Sequence, residues 1–406
     1  MRLHFVVVVG FVLASCLTSF PATLHVAIAM NKELYVAGEP VFVNVTVSNI
    51  GGSPLTIVVP SVDSCSSAVA VVVEGLPRAD LPPCPDPILY TLCAYNGPGA
   101  KQIEILPAKF YEMRRFLGFI YDLQSPRTYR ARVSLHLQYA NSAPVGDVSA
   151  AETLSQQADL SFQVIRGNAE ALRAAFAPTL ADLECGDFER QWRAQLVLLN
   201  LAPHFAESRI LALADRLDVG VEAMPALRKL GTSASIRKLE DIAFESPDGD
   251  LAREQIRYAA LDQIRYVNDR SLLPELYAVM AQQRWQSIRG AAASAAARIA
   301  HGEAVPEISR MMRVDSEGVF AGAAALGEAK SPEAVEALIS AIPAAVDDNQ
   351  LHAIIEALGT LTHRRSSSDL ADRMNIQREW NSWWEVHHAD ARIYGPDTCG
   401  AIMPLN

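Results

Sequence analysis

Residues 254–276 superpose without a gap on residues 286–308, a shift of 32 positions that pairs Ile256-Arg257 with Ile288-Arg289 and Pro274-Glu275 with Pro306-Glu307. A period between about 20 and 50 residues means a stack of supersecondary units, none of which can bury its apolar face alone. A third copy runs over residues 324–338, and Leu227 to Gly231 and Leu358-Gly359 mark two more. Equivalent positions are Leu227, Ile264, Ala296, Leu326 and Leu358, separated by 37, 32, 30 and 32 residues. Within each copy the apolar residues recur at three and four, giving one apolar face per helix that a neighbouring copy must cover. The run Ala291 to Ala297 fits the same scheme, small side chains letting helices approach closely.

The best copy, residues 323–338, reads Ala-x-Ala-Leu-Gly, five variable positions, then Glu-Ala-Val-x-x-Leu. This resembles the HEAT repeat, in the short bacterial variety also described as PBS-lyase-like. The resemblance implies an armadillo-type α-α superhelix, an α-helical solenoid over residues 170–365 with five or six repeats and a degenerate first one around Trp192 to Leu213. Such a solenoid exposes a concave wall lined by the second helix of each unit. With Val305, Ile308 and Met312 as the buried stripe of one second helix, Glu307 and Arg310 face outward, and equivalent positions are Arg237, Lys238, Glu275 and Glu336. Singly these charges only keep a helix soluble; as a row they form a candidate protein-binding surface.

Ahead of the repeats the periodicity is two. Leu24, Val26 and Ile28 alternate, then Val41, Val43, Val45 and Val47 alternate against Phe42, Asn44, Thr46 and Ser48. Gly51-Gly52-Ser53-Pro54 breaks the run and Leu55, Ile57 and Val59 resume it, which by turn chemistry predicts a hairpin. Further strands are expected over residues 68–73, 130–139 and 160–165. Tyr35 to Val41, leading to Thr46-Val47-Ser48-Asn49, and later Pro126-Arg127-Thr128-Tyr129, resemble bacterial envelope immunoglobulin-like modules. That resemblance implies an Ig-like β-sandwich over residues 23–166, a spacer or adhesion module without an activity of its own.

The first residues carry an address. Arg2 precedes an apolar run, Phe5 to Ala14, too short for the roughly 20 residues a spanning helix needs. Leu13-Ala14-Ser15-Cys16 resembles the lipobox of bacterial lipoproteins, which implies residues 1–22 as a signal peptide (lipobox 13–16) and acylation of Cys16. The alternative is an ordinary secretory signal cut near Thr18 or Ala22. Either route exports the chain, to a periplasmic or outer-membrane-associated site or into the medium. The remaining cysteines, Cys65, Cys84, Cys93, Cys185 and Cys399, are odd in number and their pairing is open.

Residues 366–406 form a tail in which Trp380, Trp383 and Trp384 share one helical face. They are expected to cap the last repeat, with a carbohydrate-stacking platform as the alternative. His387 and His388 are adjacent on a helix and point about 100° apart, which argues against a shared metal ion.

A net charge of -11 and a pI near 5.4 are the wrong sign for a phosphate backbone, so nucleic acid is not an expected partner. Catalytic motifs with a hydrolase, metalloprotease, P-loop or dinucleotide signature are missing from the sequence. The expectation is therefore a non-enzymatic scaffold or adaptor with no cofactor, no metal and no catalytic residue, binding another envelope protein. Its membrane contact would be the lipid anchor alone. A glycan- or small-ligand-binding protein is the alternative; a lyase, by analogy with the PBS-lyase-like proteins, comes third.

Overall fold

A computed structural model describes residues 24–60, 68–76, 100–141, 152–246, 249–282, 285–364, 372–389, 393–396 and 402–404. The expected signal peptide with Cys16, and Cys65, Cys84, Cys93 and Cys399, lie outside the described residues. The architecture is mixed: an N-terminal β-sheet region is followed by a helical region, in two compact units that divide between Ala175 and Phe176.

The first unit holds β1 (Leu24–Met30), β2 (Leu34–Val36), β3 (Phe42–Asn49), β4 (Leu55–Pro60), β5 (Val69–Val73), β6 (Ala100–Ile105), β7 (Phe110–Phe116), β8 (Arg127–Asn141) and β9 (Glu152–Ile165). One antiparallel sheet has the order β1-β3-β7. The other runs β2-β9-β8-β4-β6, with β5 also pairing β8. Val43, Val45 and Val47 are buried, each contributing about 1.5–3 kcal/mol of transfer energy, while Asn44, Thr46 and Ser48 are half-buried. Phe42, expected on the polar face, is buried too, packed 5.4 Å from the Phe116 ring and under the Arg114 guanidinium at 4.4 Å.

The predicted β3–β4 hairpin is wrong. The two strands belong to different sheets: β3 pairs β1 and β7, whereas β4 pairs β6 and β8. Turn residues encode a reversal but not the sheet that receives the next strand. Here the buried Asn49 redirects the chain. Its Nδ2 donates to the Ser53 and Ile105 carbonyls, both at 2.8 Å, and its Oδ1 accepts from the Gly51 N–H at 3.0 Å.

The first strand also divides itself. β1 is antiparallel to β3, and four residues later β2 runs parallel to β9. Asn31 Oδ1 fixes the crossing, accepting from the Tyr35 hydroxyl at 2.6 Å and the Phe42 N–H at 3.2 Å. Tyr35, Phe162 and Tyr129 make an aromatic core, with ring centroids 5.5 and 5.3 Å apart. The Tyr129 hydroxyl donates to the Ser125 carbonyl at 2.8 Å. Helix α1 (Ala169–Ala175) belongs with these strands, its Leu172 side chain lying over Gly38.

The second unit contains α2 (Ala177–Leu183), α3 (Phe188–Leu201), α4 (Glu207–Leu213), α5 (Gly220–Leu230), α6 (Ser233–Ala243), α7 (Leu251–Ile264), α8 (Leu273–Gln282), α9 (Gln286–Ala300), α10 (Val305–Met312), α11 (Ser316–Glu328), α12 (Pro332–Ala341), α13 (Asp348–Thr362) and α14 (Arg373–His387), then β10 (Tyr394–Pro396) paired with β11 (Ile402–Pro404). Helix starts are written in the sequence. The side chains of Asp187, Asp250, Asp315, Ser331 and Asp347 accept backbone N–H bonds at the N-caps of α3, α7, α11, α12 and α13, each worth about 1 kcal/mol.

The helices alternate between two rows. In the first, α3 packs on α5, α5 on α7, α7 on α9, α9 on α11 and α11 on α13; in the second, α4 packs on α5, α6 on α5 and α7, α8 on α9, α10 on α11, and α12 on α11 and α13. The five periodic positions Leu227, Ile264, Ala296, Leu326 and Leu358 fall on α5, α7, α9, α11 and α13, and all are fully buried. The alanine run of α9 is buried apart from Ser294, and Gly327 of α11 sits where an added Cβ would lie 3.5 Å from Ala357 of α13. Among the described residues no helix is long and apolar enough to cross a membrane.

Candidate functional site

The row expected from the repeats lies on four second-row helices: Arg237 and Lys238 on α6, Glu275 on α8, Glu307 and Arg310 on α10, and Glu336 on α12. Arg237, Glu275, Arg310 and Glu336 are exposed. Several have local partners. Lys238 Nζ pairs with Asp215 at 2.6 Å, Glu307 and Arg310 pair with each other one turn apart, and Glu336 accepts from Trp384 Nε1 at 3.3 Å. Arg237 and Glu275 make no ion pair among the described residues. Burial pushes the Glu240 carboxyl above its ordinary range, and the charges of Asp269, Asp241 and Glu275 add to that shift. The row is thus a sequence of separate positions rather than a convergent pocket.

A convergent group stands elsewhere, around Tyr266, just past the end of α7. The guanidiniums of Arg228 on α5, Arg265 and Arg298 on α9 lie 5.0, 4.9 and 5.1 Å from the centre of its ring. Each such contact is worth about 0.5–2 kcal/mol. Arg265 pairs with Asp262 at 3.0 Å and with Glu328 of α11 at 3.4 Å, and Arg298 Nε donates to Glu328 at 2.5 Å. Arg228 Nε donates to Gln263 Oε1 at 2.7 Å, and Arg228 has no carboxylate partner among the described residues. Desolvation raises the Asp262 carboxyl above its usual range, against the lowering pull of Arg265.

Sequence reasoning missed this group, although a signal was present. Arg228 and Arg265 follow the periodic positions Leu227 and Ile264 by one residue, and Tyr266, Arg298 and Glu328 follow Ile264, Ala296 and Leu326 by two. Stacking the repeats therefore brings them together. The negative end of a helix dipole favours cations in the last turn, which accounts for part of the arginine usage.

Two further clusters are structural. Arg289, 7 % exposed along its side chain, makes paired bonds of 2.8 and 2.9 Å to Asp315, the cap of the next first-row helix. At the tail, Trp380 is fully buried, Trp384 buried and Trp383 half-buried. The Arg364 guanidinium lies 5.2 and 5.4 Å from the rings of Trp380 and Trp383 and pairs with Glu379 at 2.7 Å. Trp383 also stacks on His387 at 5.1 Å. His387 and His388 each bond a backbone carbonyl, of Trp383 and Glu385, and among the described residues no group of three acidic, histidine or cysteine side chains is placed to hold a metal ion.

No protein-family model matches the chain, and no curated protein is significantly similar to it. Among solved structures, an Escherichia coli alpha-2-macroglobulin activated by porcine elastase aligns with 88% of this chain and 37% of its own, at 11% identity and a TM-score of 0.18. A Salmonella alpha-2-macroglobulin reacted with methylamine aligns at 12% identity and a TM-score of 0.19, covering 88% of this chain and 27% of its own. The chain thus spans about a third of the length of these structures, and overlaps of this quality carry no functional argument.

Proposed function

We propose that the chain is a non-enzymatic, exported scaffold or adaptor that binds another envelope protein through a HEAT-type solenoid, with an Ig-like sandwich ahead of it. The observation that carries the reading is the two-row helix stack, in which each successive second-row helix from α6 to α12 presents at least one exposed charged position. A stack of this kind offers an extended wall rather than a cleft, and extended walls suit proteins. For the sandwich, support comes from the first strand changing sheets between β1 and β2, and from the Tyr129–Ser125 bond at the start of the long β8, the arrangement of a tyrosine corner. The proposed anchor is an acylated Cys16, each buried methylene of an acyl chain contributing about 0.8 kcal/mol to membrane attachment.

The glycan reading has less behind it. Burial of Trp380 and Trp384 leaves no broad aromatic platform at the tail. The lyase reading would need an activated thiol, and the free Cys185 points its Sγ at the Asp182 carbonyl, 3.0 Å away.

The test is in-cell crosslinking of the full chain with mass spectrometry of what co-purifies, compared with a variant carrying Glu307→Arg and Arg310→Glu together. That exchange keeps their mutual ion pair while reversing the charge pattern, so the fold is retained. A partner lost in the exchanged variant supports the adaptor; the same partners in both, or none in either, overturns binding through this row.

A further inference from the structure

We infer that the Tyr266 group is a binding site for a single carboxylate on an acidic peptide segment of another protein. It lies on first-row helices, so it stands or falls separately from the second-row wall.

The argument starts from charge. Arg228, Arg265 and Arg298 bring three guanidiniums to one ring, while Asp262 and Glu328 supply only two carboxylates. Arg265 and Arg298 are committed to those two acids. Arg228 is not: its Nε is held by Gln263, and its two terminal nitrogens carry no ion pair among the described residues. One positive charge is left over, and it is exposed.

Geometry then makes that charge useful. The Gln263 bond holds Nε, and the Tyr266 ring, its centre 5.0 Å from the guanidinium carbon, restrains the group from a second side. A fixed fork loses less entropy on binding than a free arginine and matches a carboxylate through two parallel bonds. Tyr258, on α7 one turn before Asp262, is 45% exposed beside the same charges, giving a ligand side chain an aromatic surface. The Nε of Arg265 is buried without a hydrogen-bond partner. That donor belongs to the Arg265–Asp262–Glu328 network against the same ring.

The same charge count selects the ligand. One unpaired cation neutralises one negative charge, whereas a dianion such as a phosphate monoester must shed more hydration and keeps a second charge without a cation of its own, since Arg265 and Arg298 are already paired. On a chain of net charge -11, a local site of this kind admits acidic segments only where they reach Arg228.

The experiment uses the full chain and labelled hexapeptides of alternating Gly and Glu, of Gly and Gln, and of Gly and phosphoserine, read by fluorescence anisotropy at low and moderate salt. The Glu peptide should bind, the Gln peptide should bind at least tenfold more weakly, and the phosphoserine peptide should gain nothing over Glu. Arg228→Ala should weaken the Glu peptide about tenfold with an unchanged circular dichroism spectrum, and Arg228→Lys should recover only part of the loss. Arg378→Ala, an exposed arginine of α14 outside both surfaces, should leave it unchanged. Equal binding of Glu and Gln peptides, no binding at all, or an unaltered Arg228→Ala variant would overturn the carboxylate site. Tighter phosphoserine binding would overturn the monoanion argument. None of these results bears on the crosslinking test of the second-row wall, so the two readings fail separately.

Discussion

Asp315→Ala and Arg289→Met remove opposite ends of one ion pair and should not cost the same. Arg289 is 7 % exposed along its side chain, whereas Asp315 is 41 % exposed. Deleting the aspartate leaves a buried guanidinium whose nearest acid is Glu317 at 3.8 Å, and it also removes the cap that accepts from the Gly318 N–H at 2.6 Å. An uncompensated buried charge costs about 3–5 kcal/mol, and the lost cap about 1. With Glu317 giving partial relief, about 3–4 kcal/mol is expected in total. Arg289→Met keeps the cap, and the exposed carboxylate recovers its hydration, so the loss is that of charge-assisted hydrogen bonds, about 1–2 kcal/mol. The double variant should then be more stable than Asp315→Ala alone, because the stranded cation is gone. The measurement is urea unfolding of the full chain followed by far-ultraviolet circular dichroism, which the helical region dominates. Equal costs for the single variants, or a double variant that loses their sum, would refute the reasoning that burial asymmetry sets the energies.

Three other outcomes follow from the same structure. Because desolvation raises the Asp262 carboxyl, the folded state holds that proton more tightly than the unfolded chain, so its contribution to stability falls as pH rises through the raised value. Asp262→Asn should therefore gain on the native protein between acid and neutral pH in denaturant titrations; a difference that shrinks with rising pH contradicts this. Trp380→Ala should cost about 3–5 kcal/mol as a fully buried ring, and Trp383→Ala distinctly less, by thermal unfolding; the reverse order would refute the cap. Cys16→Ala should move the protein from the membrane fraction to the soluble one, and unchanged fractionation would remove the lipid anchor.

Much of the helical region was readable because its information is periodic. Leu227, Ile264, Ala296, Leu326 and Leu358 recur at a near-constant interval, and each interval holds one helix pair whose caps are also encoded locally. The strands were readable as strands for the same reason, since Val43, Val45 and Val47 alternate with polar neighbours. Sheet membership was not. Gly51 to Pro54 encode a turn, but the sheet that β4 joins is set by its pairing with the distant β6 and β8, with Asn49 bonding the Ile105 carbonyl at the crossing. The Tyr266 group stayed hidden for a related reason. Its members lie in four repeats, and a single arginine beside an apolar anchor has no meaning until the repeats are stacked. Arg237 and Glu275, which were legible, are ordinary exposed charges whose interest depends wholly on what lies opposite.

The tie between Arg265 and Glu328 joins α11 to the end of α7 across the intervening α9. The helix packings of the first row connect adjacent layers, and a stack joined only that way flexes like a spring. A strut spanning two layers restrains that spring on one side only. Opening the stack on the Tyr266 side must stretch the strut, while opening it on the opposite side leaves the strut slack. Residues 251–328 should therefore be stiff in one bending direction and compliant in the other, a mechanical polarity that the repeat pattern alone does not contain.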